Sequence, residues 1–240
     1  MRIKLIFWLM VCGLAAGLCA VNSETFDYNK AWQQIEEARY KRLPLTLQAK
    51  VDSLYEIAIK ENRTDQQIKA LIYQFVALQQ NQEFSTQKAI DLARRRLETA
   101  SYPASAIIHN LLARMYWGYY TGHRSKFSLR GETIVHDKTD IATWDLKTIV
   151  KEAIKEYNIS LAHADELQKY PRQDFTAILS QNGTPDRKLR PTLYDLLAHE
   201  ALAFYTNSES SLPLPQDEFR LDKAIYFAPA RDFAGLELSS

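Results

Sequence analysis

Apolar residues recur along most of this chain with the period of an α-helix. Leu47, Val51, Leu54, Tyr55 and Ala58 follow i, i+4, i+7, i+8, i+11 spacing, which puts them on one helical face. Pro44 stands just ahead of them, where a first turn tolerates proline because the missing N–H has no helical partner anyway. Thr64 and Gln67 make a capping-box pattern before Ile68, Leu71, Ile72, Phe75 and Leu78. Ser85 is placed to cap a helix carrying Ile90, Ala93 and Leu97. Pro103 opens the next, with Ile107, Ile108, Leu111, Leu112, Met115 and Tyr119 on its face. A first helix over 27–42 precedes them all.

After Thr121 the period is lost. Gly122 and Gly131 punctuate a stretch at 121–142 that is long for a structureless connection. Helical spacing resumes at Thr143, read as an N-cap, with Leu146, Ile149, Val150, Ala153, Ile154, Tyr157 and Leu161 behind it. A short helical turn follows Asp174, and Asn182-Gly183-Thr184-Pro185 is a turn cluster. Thr192 with Asp195 then caps a helix carrying Leu193, Leu196, Leu197, Ala201 and Phe204. A polar linker at 208–215 leads to a tail with Leu221, Ile225, Tyr226, Phe227 and Phe233 but no long element.

Short connections between helices favour antiparallel neighbours, so the expectation is an all-α fold. It is an array of antiparallel αα-hairpins with a pitch of about forty residues, solenoid-like and tetratricopeptide-like in spacing. The tetratricopeptide signature itself is not in register. The expected division is a leader at 1–20, a hairpin array at 24–122, an irregular connection at 123–142, further helices at 143–206, and a linker and tail at 207–240.

The leader is a different material. Arg2 and Lys4 precede an apolar run over 5–20, slightly short for a bilayer span and closed by small residues. This reads as a secretory signal peptide cleaved after Ala20 or Ser23, the alternative being an N-terminal membrane anchor. Lipidation at Cys19 or Cys12 is disfavoured by the bulky Leu18 and Val11 before them. The chain is therefore expected in the periplasm, the cell envelope or the medium, with no transmembrane segment once the leader is gone. Both cysteines leave with the leader, so neither a disulfide, a thiolate nucleophile nor a cysteine metal site is expected.

The 240 residues carry 30 basic and 29 acidic side chains. Removing Arg2 and Lys4 leaves 28 basic residues against those 29, a net charge of −1. Neither balance suits a protein held to nucleic acid by phosphate contacts. With 7 Gly and 8 Pro, a turn-rich β-sandwich is also disfavoured.

Candidate chemistry is sparse. His109, His123, His136, His163 and His199 show no zinc-protease spacing, and Asp195 with His199 at i, i+4 reads as a surface pair. There is no glycine-rich phosphate loop and no Gly-x-Ser-x-Gly elbow. No catalytic residue, metal or cofactor is nominated, and no enzyme is expected. Arg94-Arg95-Arg96 reads as a solvated helix face. Asn62-Arg63-Thr64, Asn158-Ile159-Ser160 and Asn182-Gly183-Thr184 match glycosylation acceptors. One local feature stands out, Tyr116-Trp117-Gly118-Tyr119-Tyr120 between Arg114 and Arg124. Trp117, Tyr119, Tyr120 and Arg124 are the candidate partner-binding residues, as a stacking platform. The structural reading, in which Trp117 and Trp144 are core packing, is preferred because four aromatics in five positions face all round a helix.

Four segments carry a resemblance: Tyr116-Trp117-Gly118-Tyr119-Tyr120, Thr143-Trp144-Asp145-Leu146, the run Leu189-Arg190-Pro191-Thr192-Leu193-Tyr194-Asp195-Leu196-Leu197-Ala198-His199, and Phe227-Ala228-Pro229-Ala230. In this order and approximate spacing they resemble the N-terminal helical region of the large exported α2-macroglobulin-like proteins of Bacteroidota-type bacteria. The resemblance spans about 27–233, and its most specific part is the run from Arg190 to His199. It implies a leading helical module of a protease-trapping protein whose other parts are β-sandwich domains, a bait segment and, in many members, a Cys-x-Glu-Gln thioester. This chain carries neither that motif nor a cysteine beyond residue 20. The implied role is protein–protein contact with macroglobulin-type domains or envelope proteins. The alternative is an independent exported scaffold binding a peptide or an envelope protein along a groove.

Overall fold

The computed structural model describes residues 26–80, 86–128, 139–179 and 189–211. The leader, the Ser85 cap, the turn cluster at 182–185, His136 and the tail anchors lie outside the described residues. The described residues are α-helical, with no strand among them; an isolated antiparallel bridge joins Pro171 and Thr192. In chain order the helices are α1 (Tyr28–Tyr40), α2 (Pro44–Lys60), α3 (Thr64–Gln80), α4 (Thr86–Leu97), α5 (Ala104–Gly122), α6 (Arg124–Ser128), α7 (Leu146–Leu161), α8 (Ala164–Leu167) and α9 (Leu193–Tyr205). Short 3₁₀ turns stand at Ile141–Thr143, Arg172–Phe175 and Ser208–Ser211. No described helix is long and apolar enough to cross a membrane.

Local chemistry accounts for several boundaries. The Asp27 carboxylate accepts the Lys30 N–H at 3.0 Å and starts α1. All five residues of the α2 stripe are buried, as their spacing predicts. Full burial of a Leu or Val side chain contributes about 1.5–3 kcal/mol, so this stripe is what holds α2 in place. At α9 the capping box forms in both directions, Asp195 N–H to Thr192 Oγ1 at 3.3 Å and Thr192 N–H to Asp195 Oδ2 at 2.9 Å.

Other expectations are corrected. Thr64 is the first residue of α3, and the Gln67 amide turns inward to donate to the Tyr55 hydroxyl at 3.1 Å, so that capping box does not form. Thr143 belongs to a 3₁₀ turn, and α7 is capped by Asp145, whose carboxylate accepts the Thr148 N–H at 2.7 Å. The irregular stretch at 121–142 contains α6, the turn near Asp174 begins at Arg172, and α8 was not foreseen. The buried stripe of α3 is rotated from the expected one: Ile72, Phe75 and Leu78 are only half-buried, while Gln66, Gln67 and Gln74 are buried. The glutamines are satisfied by neighbouring helices. Trp32 Nε1 donates to Gln66 Oε1 at 2.7 Å, and Gln74 Nε2 donates to Asp52 Oδ1 at 2.6 Å.

The turns from α1 to α2 and from α2 to α3 share one geometry. Arg42 and Asn62 take the left-handed conformation, with φ of 52° and 54°. The next N–H in each turn reaches back five residues, Leu43 to the Ala38 carbonyl at 3.0 Å and Arg63 to the Ala58 carbonyl at 2.8 Å. Arg42 N–H and Asn62 N–H close the inner bonds to Arg39 and Ile59. This is the Schellman ending of a helix, repeated twenty residues on.

Helix α5 is the hub. It packs most extensively on α7 and also meets α3, α4 and α9, while α2 pairs chiefly with α3. One apolar cluster runs from Trp32 on α1 to Phe204 on α9.

Candidate functional site

The aromatic run occupies the last turns of α5, and its residues divide between core and surface. Tyr116 and Tyr120 are buried, Trp117 and Tyr119 are half-buried, and Gly118 is exposed. This division follows from helical geometry, since residues four apart share a face and residues one apart do not. Trp144, from the 3₁₀ turn ahead of α7, is buried with its ring 5.2 Å from that of Tyr116. The core assignment holds for Trp144; Trp117 is corrected to a half-buried position at the rim. Its ring lies 4.9 Å from Tyr120 and 5.1 Å from Phe204 of α9, the latter edge-on.

Tyr119 stacks against His123 at 4.4 Å and meets Phe127 edge-on at 6.1 Å. His123 is tied down as well, its Nδ1 lying 2.9 Å from the Tyr119 carbonyl. Arg124 is exposed and sits 5.9 Å from the centre of the Tyr120 ring. Its Nε donates to Glu209 Oε2 at 2.8 Å, and Nη1 donates to the Thr121 carbonyl at 3.1 Å. The structure therefore brings Trp117, Tyr119, Tyr120 and Arg124 together on one end of α5. Each is already engaged by its neighbours in the chain.

Charges around the cluster behave as these contacts dictate. Burial raises the Tyr120 phenol, and the carboxylate of Glu209 beside it adds to the rise. The hydrogen bond from Arg124 holds the Glu209 carboxyl below its ordinary value. Burial also raises Tyr116, although the Arg94 guanidinium opposes it.

Arg94 is the residue whose role sequence reasoning missed. Its guanidinium donates to the Tyr116 hydroxyl at 3.1 Å and lies 5.8 and 5.9 Å from the Tyr116 and Trp144 rings. Arg96 is equally committed, over the Tyr55 ring at 4.0 Å and paired with Glu56 at 3.2 Å. Only Arg95 of the three is exposed, so the solvated-face reading of the triplet is corrected. A run of three arginines predicts charge; it does not say which aromatic faces, 22 to 50 residues away, they meet.

The histidines do not converge. His109 Nδ1 lies 2.5 Å from the buried Glu156 Oε2, a half-buried polar link between α5 and α7. His163 meets Tyr102 edge-on at 6.0 Å, and His199 is exposed. Asp195, expected beside His199, is spent on the α9 cap. Among the described residues, no three His, Cys, Asp or Glu side chains are grouped so as to hold a metal ion. Of the glycosylation-type triplets, Asn62 sits in the exposed α2–α3 turn, and Asn158 lies within α7 with its Oδ1 accepting the Tyr205 hydroxyl at 3.2 Å; Asn182 is outside the described residues.

Of the four segments singled out in the sequence, the first two touch each other, and the helix that the third begins packs against α5. Tyr116 touches Trp144, and Trp117 touches Phe204 of the helix that Pro191-Thr192-Leu193 begins. Asn110 Nδ2, six residues before Tyr116, donates to the Leu197 carbonyl at 3.2 Å inside the core. The bonds Arg172 N–H to Pro191 O and Leu193 N–H to Tyr170 O pin the start of α9. The fourth segment, at 227–230, lies outside the described residues.

Comparison with protein-family models, with curated proteins and with solved structures finds no match to this chain.

Proposed function

We propose that this chain is an exported, non-catalytic helical module of a macroglobulin-type protease inhibitor, working through protein–protein contact. The observation that carries the reading is the convergence just described. The segments at 116–120 and 143–146 are far apart in sequence yet touch through Tyr116 and Trp144, and α9, which the segment at 189–199 begins, packs on α5 with Phe204 against Trp117 and the Leu197 carbonyl accepting from Asn110. Segments that resemble a family's pattern and are all placed against one helix are what a shared module predicts. The repeated Schellman turns support a hairpin-repeat architecture for its first three helices.

The alternative reading, an independent scaffold that holds a peptide, draws on a different feature. A cleft of about 360 Å³ lies between the α2–α3 turn and the Arg172–Phe175 turn, lined by Asn62, Arg63, Asp65, Tyr170 and Asp174. Its polar and aromatic rim suits an extended peptide.

Two experiments separate these readings. Transcript sequencing through the gene and its neighbours supports the module if sandwich domains follow in frame or in the adjacent gene. A transcript with no such partner overturns it. Incubating the exported chain with trypsin, chymotrypsin and elastase tests the chemistry. With no thiol beyond Cys19, the expected outcome is no adduct on a denaturing gel. A covalent adduct refutes the non-catalytic reading.

A further inference from the structure

The two Schellman turns provide an internal control. They share backbone geometry, and position for position their residues are twenty apart: Tyr40 with Lys60, Lys41 with Glu61, Arg42 with Asn62, Leu43 with Arg63, Pro44 with Thr64 and Leu45 with Asp65. The second turn is built from polar residues throughout. The first exposes Tyr40 at 89%, Leu45 at 75% and Leu43 at 45%. The geometry does not demand these apolar side chains, since the same geometry is made without them. Within the described residues no other six-residue stretch exposes three large hydrophobics.

Charge accompanies them. Arg39 pairs with Glu36 and Lys41 with Glu37, leaving Arg42 exposed with no ion pair among the described residues. Arg42 also holds the left-handed conformation, which disfavours a residue with a Cβ and favours glycine. A cation is kept at the apex where glycine would be the relaxed choice.

We infer that the α1–α2 turn is a membrane-contact tip, which inserts Tyr40, Leu43 and Leu45 into the interface of an anionic bilayer with Arg42 at the phosphate level. Shape and charge select this occupant. Three side chains on one tight turn fall far short of the roughly 800 Å² per partner of a standard protein interface. A bilayer needs no complementary surface, accepts a tyrosine at its headgroup layer and attracts cations when anionic. Arg39 and Lys41 are exposed beside Arg42, each paired with a carboxylate of α1, so the tip's unbalanced charge is that of Arg42. The inference stands independently of the macroglobulin reading.

The test is flotation of the exported chain, purified with its leader removed, on vesicles of phosphatidylcholine alone and of phosphatidylcholine with phosphatidylglycerol at equal parts. The wild type is expected to float with the anionic vesicles. The double substitution Tyr40→Lys with Leu45→Asp, which grafts the side chains of the second turn onto the first, is expected to bind at least tenfold more weakly, with its thermal midpoint unchanged. Arg42→Asn, the other graft, keeps the turn and is expected to reduce binding to anionic vesicles while leaving the weak binding to neutral ones. A wild type that stays at the bottom of the gradient, or a double variant that floats equally well, overturns the inference. Sedimentation velocity on the same samples covers the remaining occupant: self-association abolished by the double substitution assigns the tip to a second copy of the chain instead.

Discussion

Trp144 offers the sharpest measure of how the core is held together. Its side chain is 2% exposed and packs on Tyr116 and Arg94. Its indole Nε1, also buried, has no hydrogen-bond partner among the described residues. Two terms of opposite sign follow. Truncation by Trp144→Ala removes the ring and leaves a cavity between α4, α5 and α7, which costs about 3–5 kcal/mol for a large aromatic. Trp144→Phe keeps most of the ring and deletes the orphaned N–H, whose buried, unpaired state costs about 1–3 kcal/mol. That relief offsets much of the lost volume, so the phenylalanine variant should stand within about 1.5 kcal/mol of wild type. Urea unfolding followed by circular dichroism at 222 nm measures both, with the slope checked for constancy so that the midpoint reports stability. A Trp144→Ala variant that loses less than about 1 kcal/mol would refute the packing argument, being closer to an ordinary surface change. A Trp144→Phe variant as damaged as the alanine one would refute the orphan N–H. Trp117→Ala, at the half-buried rim, should lose less than Trp144→Ala in the same assay.

Two further outcomes follow from buried and half-buried polar links. His109→Ala leaves the buried Glu156 carboxylate without its 2.5 Å partner and should cost about 2–3 kcal/mol, while a double-mutant cycle with Glu156→Gln should show coupling above about 1 kcal/mol; additivity would show that the contact is idle. Glu36 is raised by burial, but hydrogen bonds from Tyr73 and Arg39 outweigh this and hold its carboxyl below the usual value. A depressed folded-state value means the stabilisation is present above the unfolded carboxylate range and is lost as pH falls through the folded one. Glu36→Gln should therefore lower the urea midpoint at pH 6 and converge on wild type below about pH 4; an unchanged gap at pH 3 would refute the linkage.

What could be read from the sequence was local. The α2 stripe, the Thr192–Asp195 box and Pro44 in a first turn each depend on residues within a few positions of one another, and each is present as expected. Where the sequence misled, a second local option competed. Thr143 and Asp145 are both good caps, and the chain uses Asp145 because residues 141–143 close a 3₁₀ turn under Asp140. Thr64 and Gln67 match a capping box, but the Tyr55 hydroxyl from α2 captures the glutamine.

The amino-acid sequence by itself determined that these segments are helices and which face of α2, α7 and α9 is apolar, because period and caps act over one or two turns. Only the tertiary structure decided what the polar residues do. Gln74 is buried because Asp52 stands opposite it, while Arg96 is held half-buried over the Tyr55 ring and Arg94 half-buried among Tyr116, Trp144 and the Thr139 carbonyl. A glutamine or arginine is soluble on any helix face, and it is drawn into the fold only where a partner 22 to 50 residues away satisfies its donors. The same holds for the aromatic run of α5. Its composition announced packing, but α7 and α9 closing on it decided that Tyr116 is core and Trp117 is rim.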